Sequence, residues 1–490
     1  MGDFTSIKIV AKYAARLGLC FSTTRAIRSN KTTIKRIEDV ERNGYCFTDG
    51  VGKISDSLSV MIANQLSLPL SNPVPSAFQF RLGGGKGMLV NWPGMSGEEV
   101  HIRKSQWKFE ARYDGLEIIR CSRFSPATLN RQTITILSSL GVEDEIFNKM
   151  LSEQLQNYQA AMTDEHLALD LLSRYVDDNH MTMTIASMVL DGFMQASQLS
   201  TLHRPKVTNT SVQVKEPFLL SLLHLWRAWS IKLLKEKAKI IVEKGAFLLG
   251  VTDETGMLRG HINSKVRPGS PVDVNNLPQV FIQVPDKTKK GNYVVIDGPC
   301  LVGRNPSLFP GDIRMVRAVN VPALHHLRDV IVFPQLGDRD IPGMCSGGDL
   351  DGDDFFCIWD KALTPKEWNV EPISYTAAKP KELNRPVEVQ DIMRFFVRFM
   401  KNDALPTIAH AHLALSDYLD QGIKDPKCEF KYAKSNFWTN DMSQVSSLLN
   451  FTQRLLIMSK QVLIKTSHVP YGIISELTWN QESQLKCPSV

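Results

Sequence analysis

No two of the eight cysteines form a Cys-x-x-Cys pair; Cys20, Cys46, Cys121, Cys300, Cys345, Cys357, Cys428 and Cys487 are scattered along 490 residues. That scatter argues against a structural zinc site and against a secreted disulfide framework, and points to an intracellular, reducing compartment, nucleus and cytoplasm left open. Long apolar runs are also missing. The richest stretch, residues 218–229, contains His224 and Arg227 and is followed by Lys232, too short and too charged to span a bilayer, so no membrane partner is expected. A P-loop is lacking as well. Lys53 in Asp49-Gly-Val-Gly-Lys53 has the wrong glycine spacing and is followed by Ile54 rather than Ser or Thr. His325-His326 and the His410/His412 pair have no Cys or Glu at ligand spacing and read as structural histidines. Charge of one sign is not extreme: 57 Lys and Arg against 51 Asp and Glu leave +6, which permits a polyanionic partner without requiring one.

What is present is Asp349-Leu350-Asp351-Gly352-Asp353, followed by Asp354 and the apolar run 355–359. Three carboxylates at i, i+2 and i+4 repel one another unless cations lie among them. On a regular strand they would share a face but spread over about 13 Å, too far for ligands about 2.1 Å from one Mg²⁺. The stretch must therefore curl, and Gly352 permits the turn. An EF-hand calcium loop matches at positions 1, 3 and 5 but fails at position 6, where Asp354 replaces Gly, and at position 12, where Asp360 replaces Glu. A catalytic Mg²⁺ site fits better.

Hydrophobic periodicity divides the rest. Short alternating runs such as Ala77-Phe-Gln-Phe-Arg and Leu116-Glu-Ile-Ile suggest a β unit between residues 43 and 124. Helical spacing follows over 131–200 and 217–243. Glycines and β-branched residues return over 247–359, and helical patterning resumes after Pro380. The domains expected are 1–130, a first barrel with its lead-in; 131–245, a helical connector; 246–365, a second barrel carrying the aspartates; 366–428, helical; and 429–490, an atypical tail.

The aspartates are preceded by Gly303-Arg304-Asn305-Pro306-Ser307-Leu308-Phe309-Pro310-Gly311-Asp312, Leu324-His-His-Leu327, Val330-Ile-Val-Phe-Pro334 and Cys345-Ser-Gly-Gly348. Earlier stand Gly44-Tyr-Cys-Phe-Thr-Asp-Gly-Val-Gly-Lys53-Ile-Ser, Pro75-Ser-Ala-Phe-Gln-Phe-Arg81, Gly84-Gly-Lys86-Gly and Asp253-Glu-Thr-Gly256. In this order, from about residue 15 to about residue 428, the chain resembles the cell-encoded RNA-dependent RNA polymerases of eukaryotic RNA silencing, a fungal-type member in particular. The resemblance implies an α+β fold: two double-psi β-barrels bridged by helices, with a helical C-terminal part. It implies Asp349, Asp351 and Asp353 as catalytic residues and metal ligands. Mg²⁺ is the implied cofactor, with Mn²⁺ as a substitute. It implies Arg304, Lys86, Lys108 and Arg103 as substrate-binding residues, Arg304 at the nucleotide ribose and the others on phosphate.

The implied activity is Mg-dependent nucleotidyl transfer that copies single-stranded RNA into double-stranded RNA for silencing and small-RNA production. Single-stranded RNA and nucleoside triphosphates are the implied partners, silencing-pathway proteins further ones; oligomeric state stays open. A member that also uses a DNA template and an inactive fragment that binds nucleic acid without turnover are the alternatives. Several positions depart from the family pattern. Phe309 stands for a usual His and Asn320 for a usual Asp, and residues 257–277 read as an inserted surface loop. Residues 429–490 lack the Ala-Val-Asp and Lys-Thr-Gly signature expected there, and are expected to be foreign to the fold. Family members also carry a long region ahead of this core.

Overall fold

The structure, a computed structural model, describes residues 2–21, 23–28, 32–68, 73–111, 115–174, 181–191, 217–262, 276–286, 289, 291–375, 380–401, 405–419, 422–425 and 428. The expected tail at 429–490 lies outside them. Two compact units divide the chain: residues 1–376 with 381–393, and residues 377–380 with 394–490. The β-sheets and the helices between them belong to the first. The second holds the helical part at 405–418 and a 3₁₀ turn, Gly422–Lys424.

The N-terminal third contributes β1 (Arg25–Ala26), β2 (Thr33–Ile37), β3 (Glu41–Arg42), β4 (Tyr45–Cys46), β5 (Val51–Ile54), β6 (Ala77–Leu82), β7 (Gly85–Asn91), β8 (Glu99–Arg103) and β9 (Leu116–Cys121). Seven of these form one sheet in the order β1-β9-β6-β7-β5-β8-β2, and β3 pairs with β4. Along β6, Phe78, Phe80 and Leu82 are all buried, the two-residue period of a strand with one face on a core. They pack with Ile54 of β5 and with Leu58 and Ile62 of a helix whose first turn is capped by Ser55.

After β10 (Ser125–Thr128), the described residues between 131 and 237 are mainly helical, the first helix, Arg131–Ser139, being capped by Asn130. A second sheet follows: β11 (Ile241–Thr252), β12 (Gln279–Pro285), β13 (Tyr293–Val295), β14 (Gly298–Arg304), β15 (Arg314–Ala318), β16 (Val330–Phe333) and β17 (Asp354–Ile358). The ring β11-β16-β12-β15-β14-β17 closes on itself through the antiparallel β11–β17 ladder. β11 starts ahead of the boundary expected at 246, and β10 crosses to this sheet.

β16 reads as a continuous apolar run because it is buried on both faces, with all four of its residues covered. The barrel core is shared with Val51, Ala77, Met88 and Val90 of the first sheet, which fixes the two sheets against one another.

Of the stretch 257–277, expected to be an inserted surface loop, residues 263–275 lie outside the described residues. In its described part, Leu258 and Leu277 are buried and His261 bridges to Gly337 and Arg339. Asp340 is buried and caps the short helix Ile341–Met344, accepting from Gly343 N at 2.6 Å.

Candidate active site

Asp349, Asp351 and Asp353 lie in the loop that leaves the Ile341–Met344 helix and enters β17. The loop curls as the carboxylate spacing requires: Ser346, Gly347 and Gly352 all have positive φ, 54°, 65° and 130°. Its amides turn inward. Asp351 N donates to Asp349 Oδ1 at 3.2 Å and Asp349 N donates to Asp353 Oδ2 at 3.1 Å. Residues 354–358 after the loop form strand β17, with Phe355 and Cys357 fully covered.

Two expected substrate-binding cations touch the aspartates. Lys86 Nζ, from β7, stands 2.5 Å from Asp351 Oδ2. Arg304, the last residue of β14, grips Asp353 with both sides of its fork, Nε to Oδ2 at 2.6 Å and Nη2 to Oδ1 at 3.1 Å. β14 and β17 are paired with Arg304 opposite Phe355, which brings the fork beside the loop. Lys108 donates to Ser105 O and shares its field with Asp49, Lys86 and Asp351; burial lowers its pKa, with Asp49 opposing.

Arg103 is elsewhere. Its buried guanidinium donates to Val51 O at 2.8 Å, to Glu38 O at 2.6 Å and to Glu254, which also pairs with Lys53 at 2.9 Å. The structure thus makes Arg103 a buried tie between the first sheet and Glu254 just after β11, not one of the cations at the aspartates. The glycines around Lys86 answer to close backbone approaches. A Cβ on Gly84 would meet Phe109 O at 1.5 Å and one on Gly87 would meet Gly50 O at 2.2 Å, so they make room for protein backbone rather than phosphate.

Sequence reasoning missed several neighbours. Asp49 precedes Gly50, and a Cβ on Gly50 would meet Asp351 Cβ at 2.5 Å, so this turn of the first sheet rests on the aspartate loop. Leu350 N donates to Asp49 O at 2.9 Å. Burial raises the Asp49 carboxyl against the pull of Lys108. Arg16 and Arg81 lie within the field of Asp351, which opposes the lowering that burial imposes on each. Gln79 and Arg120 also bond to the loop. Arg81, Gln79 and Asp49 fall inside motifs already quoted for the resemblance; Arg120 carries no signal beyond strand alternation.

Electrostatics separate Asp349 from Asp351. Burial, then the charges of Asp351 and Asp353, push Asp349 up to about 7. For Asp351 burial acts upward too, but the hydrogen bond and charge of Lys86 outweigh it and hold the group below its ordinary value. Among the described residues no three His, Cys, Asp or Glu side chains converge as a ligand cluster; the carboxylates turn to Lys86, Arg304 and each other. The donor set still fits a hard cation. Three carboxylates share one five-residue loop, and burial makes a third negative charge costly without a cation beside it.

Next to Asp353 and Asp354 opens a cavity of about 1140 Å³, lined among others by Arg25, Arg120, Arg123, Arg304 and Arg328. A cleft with five guanidiniums and carboxylates at its edge suits a polyanion brought to a cation-binding loop.

Comparison with known proteins agrees with this geometry. Over residues 1–431 the chain matches the family model described as RNA dependent RNA polymerase. It is 41% identical over 428 residues to RNA-dependent RNA polymerase 1 of Schizosaccharomyces pombe, covering 84% of this chain and 33% of that protein. To RNA-dependent RNA polymerase 6 of Arabidopsis thaliana it is 37% identical over 433 residues, covering 87% of this chain and 34% of that one. The chain therefore spans about a third of the length of these curated relatives. Among solved structures, RNA dependent RNA polymerase QDE-1 from Thielavia terrestris shares the fold, with a TM-score of 0.56 and 24% identity over 75% of this chain and 40% of that one. With the family model spanning both sheets and the aspartate loop, this chain belongs to the RNA-dependent RNA polymerase family.

Proposed function

We propose that this chain is the catalytic core of an RNA-directed RNA polymerase that copies single-stranded RNA into double-stranded RNA for silencing. The observation that carries the reading is the aspartate loop with Lys86 and Arg304 against it and an arginine-lined cavity beside it. Family membership supports the reaction class.

Asp349, Asp351 and Asp353 would hold Mg²⁺. Bound there, Mg²⁺ supplies stabilisation of the attacking 3′-hydroxyl as alkoxide and of the triphosphate. The chain's own residues provide the remaining electrostatics. Lys86 and Arg304 touch the carboxylates themselves, so a nucleotide seated at the loop lies within their reach. Lys108, with its pKa lowered yet from the high lysine range, adds charge on the Asp49 side. Fixed cations of this kind, arranged before the substrate arrives, supply much of the rate in phosphoryl transfer. Arg25, Arg123 and Arg328 of the cavity bind and orient the strand through its phosphates.

The double-psi form of the barrel is part of the same reading. Its support is the pair of parallel ladders, β11 with β16 and β12 with β15, inside an otherwise antiparallel ring. The test is incorporation of labelled nucleotides on single-stranded RNA with Mg²⁺, beside Asp351→Ala. Product that disappears in the variant supports the reading, and a folded wild-type chain that makes none overturns it. A single-stranded DNA template in the same assay decides between RNA and DNA.

A further inference from the structure

The aspartate loop has few bonds of its own, two amide-to-carboxylate contacts among the described residues, and three positive-φ positions within and just before it. Gly250 N of β11 holds the Asp353 carbonyl at 3.2 Å, but the carbonyls of Asp351 and Gly352 are held from the other sheet. Gln79 Nε2, from β6, donates to Asp351 O at 3.2 Å. Arg120, from β9, donates to Gly352 O, and its Nη1 donates to Asp354 Oδ2 at 2.8 Å. The two holders are joined, Arg120 Nε donating to Gln79 Oε1 at 3.1 Å.

Their placement comes from strand pairing. Gln79 and Arg120 are direct partners in the β6–β9 ladder, and the register slips immediately after, between Gln79 and Phe80. A bulge bends a strand locally and re-aims its side chains. Here the result is two adjacent polar side chains turned onto one loop while Phe78 and Phe80 stay in the core. Gly352 completes the fit: a Cβ there would lie 2.1 Å from Gln79 Nε2.

We propose that Gln79 and Arg120 act as a positioning clamp, fixing the backbone of residues 351–352 so that the carboxylates of Asp351 and Asp353 present themselves to a divalent cation. The inference rests on the metal-binding part of the proposed function and extends it to two residues that touch no ligand-bearing side chain. Outer partners of this kind change metal affinity or activity by about 10–100-fold. Their worth to overall stability is small by comparison, because the Arg120–Asp354 pair is exposed, at 40% and 44%.

The test is Mn²⁺ binding to the full chain, followed by electron paramagnetic resonance without nucleotide or RNA. Asp351→Ala is the reference for lost binding. The Gln79→Ala/Arg120→Ala double variant is expected to need about 10–100-fold more Mn²⁺ for half-saturation, with its thermal midpoint unchanged. Arg120→Lys, which retains charge but cannot serve both Gly352 O and Asp354, is expected to fall between. Gly352→Ala should reproduce the weakening by displacing Gln79. An unchanged Mn²⁺ curve in the double variant overturns the clamp. So does weakened RNA binding with normal Mn²⁺ binding, which would make Arg120 a phosphate contact. A wild-type chain that binds no Mn²⁺ also overturns it. Normal Mn²⁺ binding without nucleotide incorporation would sink the polymerase reading and leave the clamp standing.

Discussion

Lys86 Nζ and Asp351 Oδ2, 2.5 Å apart, join the seven-stranded sheet to the loop of the closed barrel. The pair makes Asp351 the most firmly ionised of the carboxylates at the loop for which a shift is resolved, and it places an ammonium where a triphosphate would need one. Removing Asp351 as Asp351→Ala should lower nucleotide incorporation by on the order of 10³-fold or more, whereas Lys86→Met should cost about 10²-fold. Single-turnover incorporation on RNA measures both. Equal activity of Lys86→Met and wild type would reduce the lysine to an ion-pair partner.

Arg304 holds Asp353 through two parallel bonds that a lysine cannot reproduce. Arg304→Lys keeps the charge, yet should raise the KM for nucleoside triphosphate about tenfold or more, one bidentate contact at a charged site being worth roughly 1.5–3 kcal/mol. Steady-state kinetics with a saturating template is the measurement. An unaltered KM would argue against a nucleotide contact.

The raised pKa of Asp349 has a consequence for the metal-free chain. A carboxyl near 7 in the folded state and 3.8 as its ordinary value means that the folded state binds more protons between those limits. Stability contributed by this group is therefore present at low pH and lost as pH rises through the window from about 4 to about 7. Asp349→Asn removes the charge, so in EDTA it should raise the melting temperature at pH 8 and give little gain at pH 4. Calorimetry at the two pH values is the check; equal gains at both would contradict the linkage.

Arg103 is 4% exposed and ion-paired to Glu254, itself buried. Arg103→Ala leaves a buried carboxylate with only Lys53, so urea unfolding should show a loss of about 3–5 kcal/mol. A substrate-binding arginine would behave differently, altering nucleotide KM with stability intact.

Much of the architecture was legible in the chain because hydrophobic period is local. Two-residue alternation marked Phe78 and Phe80 as one face of a strand, and the apolar run after Asp354 marked a buried one. The order β unit, helices, β unit, helices agrees with the element order of the structure. Closure of the second sheet was not legible, since it depends on β11 and β17 meeting although more than a hundred residues separate them.

The carboxylate triplet was legible for the same reason of locality: repulsion at i, i+2 and i+4, together with Gly352, dictates a curled loop whatever surrounds it. Which cations answer that loop was decided by tertiary structure alone. Arg103 and Arg304 are the same residue type in equally suggestive motifs, yet strand pairing sends one to Glu254 and the other to Asp353. Arg120 has no motif of its own, and reaches Gly352 only because β9 pairs with β6 beside a bulge. Charge and turn chemistry are written residue by residue. The partner each charge finds is set by the register and packing of strands distant in sequence.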